Sequence, residues 1–252
     1  MKRFFTFFLF FYLVFTTSLI SQKISAEQLL FNSSQGREFW IAIPPNEDDR
    51  QPIGNTQEIA IEIYITSSKS CWATVEIPGL GLIRTKKVEA FRITTFSTLT
   101  NDLFWNLEVR ESETPTPKAI HIYATEPISV YVLNHRHYTA DGYLAIPISS
   151  CGTEYIHLSY YDFHEDLYGG EYRGGGFLII PSENGTEVLI DLKGRGQAIG
   201  KTIGGHRIGD KWKVTLNKGD VYCVMGDGAT RGQFDLSGSR VISNKPIGFI
   251  SF

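Results

Sequence analysis

Between Ser159 and Gly176 the chain gathers the residue types that most often hold a ligand. Tyr160, Tyr161, Phe163, Tyr168 and Tyr172 stand among Asp162, His164, Glu165, Asp166 and Glu171, and the stretch closes on Gly174-Gly175-Gly176. Aromatic faces stack on sugars or on a protein partner, and clustered carboxylates can hold Ca²⁺. Loops on a rigid scaffold commonly carry such contacts. The acidic spacing does not match an EF-hand loop. Tyr160, Tyr161, Asp162, Glu165, Asp166, Tyr168 and Tyr172 are therefore the candidate ligand-binding residues. The plainer alternative is a long hairpin insertion whose tyrosines pack on their own sandwich.

His135-x-His137 places two imidazoles on one side of an extended segment, close enough to share a metal if a third ligand converges, with Asp141 near enough to orient one of them. Structural zinc usually takes four ligands, so two hydrogen-bonded or solvated histidines at a strand exit are the competing reading. No metal and no cofactor is assigned. Gly194-Arg195-Gly196 and Gly204-Gly205 read as turn glycines, because no helix follows and no Lys-Ser/Thr pair completes a phosphate loop. No G-x-S-x-G occurs, and the Ser, His and Asp spacings single out no triad. Scattered acids could supply a glycosidase pair only if two faced one another across a cleft, so no catalytic residue is assigned. Asn32-Ser33-Ser34 and Asn184-Gly185-Thr186 fit N-glycosylation acceptors.

The elements that must position these groups read as strands. In Glu58 to Thr66, Ile59, Ile61, Ile63 and Ile65 alternate with polar or amphipathic residues, the pattern of a half-buried strand. Similar strings run over Trp72–Ile77, Ala119–Tyr123, Ile128–Leu133, Val188–Leu192, Trp212–Leu216, Val221–Met225 and Ile247–Phe252. Turn signals separate them at Pro78-Gly79, Asn184-Gly185, Lys193-Gly194, Lys218-Gly219-Asp220 and Asp227-Gly228. The pattern also repeats. Ile65-Thr66-Ser67 is echoed 115 residues later by Ile180-Pro181-Ser182, and Thr125-Glu126-Pro127-Ile128 is echoed 119 later by Asn244-Lys245-Pro246-Ile247. The expectation is an all-β chain of two related β-sandwich-like units in tandem, an internal duplication, with almost no helix. The first unit spans 27–150 and the second 151–252, with the boundary between Pro147 and Gly152. An apolar strand reaching Phe252 marks the second unit as truncated at its C-terminal end, a fragment or a product that continues.

Lys2-Arg3, an apolar run from Phe4 to Phe15 and small residues at Ser25-Ala26 form a secretory signal peptide pattern over residues 1–26. The run is about 12 residues, against the roughly 20 that cross a bilayer as a helix, so the mature chain reads as exported without membrane insertion; a retained anchor is the alternative. Cys71, Cys151 and Cys223 are too few and too scattered for a disulfide framework, and Cys71 and Cys223 lie in apolar strand-like stretches where a thiol packs as a small hydrophobe. Of 252 residues 42% are hydrophobic and 20% charged, a globular composition, and 24 Gly, 10 Pro and 13% aromatics suit short strands joined by tight turns. A net charge of −3 gives no basis for nucleic-acid binding.

Longer motifs follow in a specific order: Gly36-Arg37-Glu38-Phe39, then Thr139 through Pro147, Gly152-Thr153-Glu154-Tyr155 and Gly176-Phe177-Leu178-Ile179-Ile180. Leu216 through Tyr222, Asp235 through Ser239 and Lys245-Pro246-Ile247 complete the series. In that order, over roughly Gln35 to Phe252, the chain resembles the N-terminal domain of IgGFc-binding protein and its bacterial relatives. The resemblance implies an extracellular, non-enzymatic β module, of the kind found in mucus-associated animal proteins and in secreted or cell-surface proteins of bacteria. Fc binding belongs to the family's name and maps onto no motif here. The leading reading is an exported binding or adhesion module for an extracellular protein or glycan. A β-sandwich hydrolase of extracellular polysaccharide and a passive spacer of a larger surface protein are the alternatives.

Overall fold

Period-two alternation of apolar and polar residues writes this chain into strands. The computed structural model describes residues 34–46, 60–135, 140–158, 163–165, 171–173, 175–196, 201–227 and 234–252. In chain order the strands are β1 (Gly36–Ile41), β2 (Ala60–Thr66), β3 (Cys71–Ile77), β4 (Leu82–Val88), β5 (Ile93–Ser97), β6 (Ile120–His135) and β7 (Ala140–Leu144). After them come β8 (Glu154–Ile156), β9 (Phe163–Glu165), β10 (Glu171–Arg173), β11 (Gly176–Pro181), β12 (Thr186–Asp191) and β13 (Arg195–Gly196). The last are β14 (Lys211–Leu216), β15 (Tyr222–Met225), β16 (Phe234–Asp235), β17 (Arg240–Ser243) and β18 (Ile247–Ser251). Short 3-10 turns at Pro78–Leu80 and Ile148–Ser150 are the helical structure among the described residues. The chain is all-β.

β1 to β7 form two faces that share one strand. On one face the pairing runs β4-β3-β6-β1, and on the other β5-β2-β6-β7. The first half of β6 serves the first face and its second half the other. This corrects the expectation of two separate strands, Ala119–Tyr123 and Ile128–Leu133: they are one strand of 16 residues. Proline cannot donate to a ladder, but at this corner the strand is changing partners, and β1 slips register between Gly36 and Glu38. The Ser67 hydroxyl donates to the Pro127 carbonyl at 2.8 Å. Between the faces, Phe39, Ile61, Ile63, Ile65, Val75, Phe96, Ile120, Ile122, Val130 and Val132 form one core.

A second set of sheets pairs as β14-β12-β17-β8 and β15-β11-β18. Phe177, Ile179, Val188, Ile190, Leu216, Val224, Val241 and Ile247 fill the core between them. All six residues of β11 are buried, because a third cluster covers its other face. There Leu178, Ile180, Val221, Cys223 and Met225 meet Trp40, Ala42, Val109 and Ala119. The connection before β6 also seals the β15 edge: Thr116 and Val221 exchange backbone hydrogen bonds at 2.9 and 2.8 Å. Cys71 and Cys223 are buried free thiols, as their apolar surroundings predicted, and Cys151 is a free, half-buried one. Burial pushes the Cys151 thiol up to about 11.

Candidate functional site

Of the residues singled out between Ser159 and Gly176, Tyr160, Tyr161, Asp162, Asp166 and Tyr168 lie outside the described residues. Glu165 and Tyr172 fall on β9 and β10, which pair antiparallel with Glu165 opposite Glu171 and Tyr172 opposite His164. The backbone of this stretch thus contains a hairpin, and it leads into β11. His135 ends β6, where it pairs with Ala60 and Ala140, and Asp141 sits opposite Asn134 on exposed β7; His137 lies outside the described residues. Among the described residues no three His, Cys, Asp or Glu side chains converge as a metal site.

The structure assembles a different site, on the outer face of the β4-β3-β6-β1 sheet. Alternation turns Ile120 and Ile122 into the core and leaves His121 and Tyr123 on the opposite face. Register places Trp40 and Glu76 on either side of His121, and Glu38 and Thr74 on either side of Tyr123. The His121 ring stacks on Trp40 with centroids 4.3 Å apart and planes 9° apart, and Tyr123 follows at 4.9 Å. Both imidazole nitrogens face carboxylates: Nε2 lies 3.0 Å from Glu38 and Nδ1 3.4 Å from Glu76.

Two turns of the second set of sheets close over one end of this face. Gly185 and Gly219 take φ of 63° and 97°, which glycine adopts without strain. The Lys218 N–H donates to Asn184 Oδ1 at 3.0 Å, and the Ala119 N–H donates to the Gly219 carbonyl at 3.2 Å, fixing the turns to each other and to the first sheet. An open cleft of about 500 Å³ results, lined by Glu76, Pro78, His121, Tyr123, Asn184 and Lys218. The Lys218 ammonium lies 5.1 Å from the Trp40 ring centre, a cation–π distance.

Chemically the cleft is a mixed recognition surface. Glu76 only accepts hydrogen bonds and Lys218 only donates them, while Asn184 accepts the Lys218 N–H at Oδ1 and carries an NH₂ donor beside it. Glu38 and Glu76 do approach a common centre, but on opposite nitrogens of His121. The imidazole stands between the two carboxylates. These residues were missed in sequence. The alternation in Ala119–Tyr123 already put His121 and Tyr123 on one face, but their convergence with Trp40, Glu76 and Lys218 depends on strand register and on contact between distant turns.

Residues 141–251 match the model of the family described as IgGFc binding protein, the family the ordered motifs resemble. The match covers Gly152-Thr153-Glu154-Tyr155, the whole of β8 to β18 and the stretch that carries the candidate tyrosines. No curated protein and no solved structure matches the chain.

Proposed function

From the match to the IgGFc binding protein family over residues 141–251, we propose that the chain is an exported binding or adhesion module, non-enzymatic, that recognises an extracellular protein or glycan. That match is the observation that carries the reading. The Lys2-Arg3 and Phe4 to Phe15 pattern supports export, and among the described residues no helix is long and apolar enough to cross a membrane. In this reading the partner contacts the stretch around Tyr160, Tyr161, Asp162, Glu165, Asp166, Tyr168 and Tyr172. The test is an array of immunoglobulin Fc, mucins and oligosaccharides probed with the purified chain, then with Tyr168→Ala and Tyr172→Ala. Each substitution is expected to cost about 1 to 3 kcal/mol of binding with the melting temperature unchanged. Full affinity in both variants removes the stretch from the interface, and an array with no partner removes the binding reading.

The same proposal takes residues 27–150 and 151–252 as two copies of one unit. The pairing order β4-β3-β6-β1 parallels β14-β12-β17-β8. Register supports it residue by residue: Trp40 opposite His121 corresponds to Ile156 opposite Arg240, and Glu76 opposite His121 corresponds to Asp191 opposite Arg240. Two side-chain hydrogen bonds recur as well. Ser67 to the Pro127 carbonyl is matched by Ser182 to the Pro246 carbonyl, at 2.8 and 3.4 Å. The Trp72 N–H to Thr125 is matched by the Glu187 N–H to Asn244, at 3.2 and 2.9 Å.

A further inference from the structure

The outer face of the β4-β3-β6-β1 sheet carries more aromatic surface than its fold requires. Trp40 is buried by the second set of sheets, and stacking on it holds His121. Tyr123 and Trp72 have no such duty: they are 39% and 55% exposed. Trp72 lies two residues along β3 from Thr74, which faces Tyr123, so the two rings are diagonal neighbours, roughly 7–8 Å apart at their Cα positions. Trp40, His121 and Tyr123 therefore form a row of touching rings, which the register extends diagonally to Trp72. It starts beneath Lys218 in the cleft and runs out across the sheet. At the corresponding positions of the second set of sheets stand Ile156, Arg240, Ile242 and Glu187, so the shared architecture does not impose the rings.

We propose that the cleft and the Tyr123–Trp72 surface form a binding site for a neutral oligosaccharide. Its chemistry follows from the groups present. An anionic ligand meets the Glu38 and Glu76 carboxylates, and a cationic one meets the Lys218 ammonium, which has no carboxylate partner among the described residues. A neutral polyol satisfies both kinds of group at once, because each hydroxyl donates to a carboxylate and accepts from an ammonium or amide. The C–H faces of its rings lie against the electron-rich faces of Tyr123 and Trp72. A peptide bound as an added strand needs an open sheet edge, whereas this row lies on a sheet face where the backbone groups are already paired. The row is longer than one sugar ring, which selects an oligosaccharide over a monosaccharide.

This site uses none of the residues of the Tyr168 and Tyr172 stretch, and the experiment keeps the two apart. The purified full chain is screened on an array of neutral, sialylated and sulfated oligosaccharides, and the strongest neutral hit is titrated by calorimetry. Tyr123→Ala, Trp72→Ala and Lys218→Met are each expected to weaken that hit at least tenfold. Circular dichroism melting should remain that of the parent, since both rings are exposed and Lys218 makes no ion pair among the described residues. Ile93→Ala, an exposed position on β5 of the other sheet, should leave the neutral-glycan affinity unchanged. Retention of only acidic glycans, retention of none, or parental affinity in Tyr123→Ala and Trp72→Ala overturns the assignment. Binding of an immunoglobulin or mucin that falls with Tyr168→Ala, together with no retained neutral glycan, would uphold the module while removing this site.

Discussion

His157 shows what one buried titratable group does to this protein. Its ring is fully buried against Phe177, with centroids 5.0 Å apart, and Nδ1 lies 3.0 Å from the Ser251 hydroxyl on β18. Burial pushes its pKa down to about 4, against a smaller opposing pull from the Asp235 carboxylate. In the unfolded chain the imidazole returns to the ordinary 6.5. The unfolded state therefore binds more protons between these values, so the stabilisation is complete above pH 6.5 and is lost as pH falls toward 4. The gap corresponds to something on the order of 3 kcal/mol. Urea titrations at pH 7 and pH 4.5 should show this loss in the parent and a much smaller one in His157→Phe. Equal losses in the two proteins would assign the acid sensitivity to other groups. The residue was not singled out in sequence, because nothing local to Glu154-Tyr155-Ile156-His157 shows that β18, more than 90 residues later, packs across it.

At the scale of elements, burial pattern reports on how many layers a strand touches. β2 alternates because only one of its faces meets a core, and its isoleucines were legible as a strand for that reason. β11 reads Gly-Phe-Leu-Ile-Ile-Pro without alternation because Phe177 and Ile179 enter one core while Leu178 and Ile180 enter another. Leu178→Ala should therefore cost about 2–5 kcal/mol, as for a fully enclosed core leucine, even though Leu178 faces away from the core between its own sheets. Chemical denaturation measures it; a cost under about 1 kcal/mol would mean that the third cluster is loosely packed. β6 is the opposite case. Its sequence breaks at Thr125-Glu126-Pro127, yet the strand continues, since the residues before the break and those after it belong to different sheets.

The third cluster also decides how the whole molecule behaves. Trp40, Ala42, Val109 and Ala119 from the N-terminal set of strands share a dry interior with five residues of the C-terminal set, and Thr116 and Val221 join the two through backbone hydrogen bonds. Contacts of this kind couple unfolding, because separating the sets exposes apolar surface on both. Scanning calorimetry is expected to give a single transition whose calorimetric and van't Hoff enthalpies agree. Two resolved transitions would show that each set holds itself together and that the cluster adds little.

Composition, period-two alternation and turn residues determined that the chain is all-β, since each acts within a few residues of backbone and needs no partner to be read. The ordered motifs pointed to the family whose model matches residues 141–251. Tertiary structure alone decided that Trp40, His121 and Glu76 share a row, that Lys218 closes over them, and that β11 is buried on both faces. Those facts depend on register between strands distant in sequence and on two turns meeting a sheet. A change of register by one residue turns every side chain of a strand to the other face, and no local pattern specifies which turn arrives there.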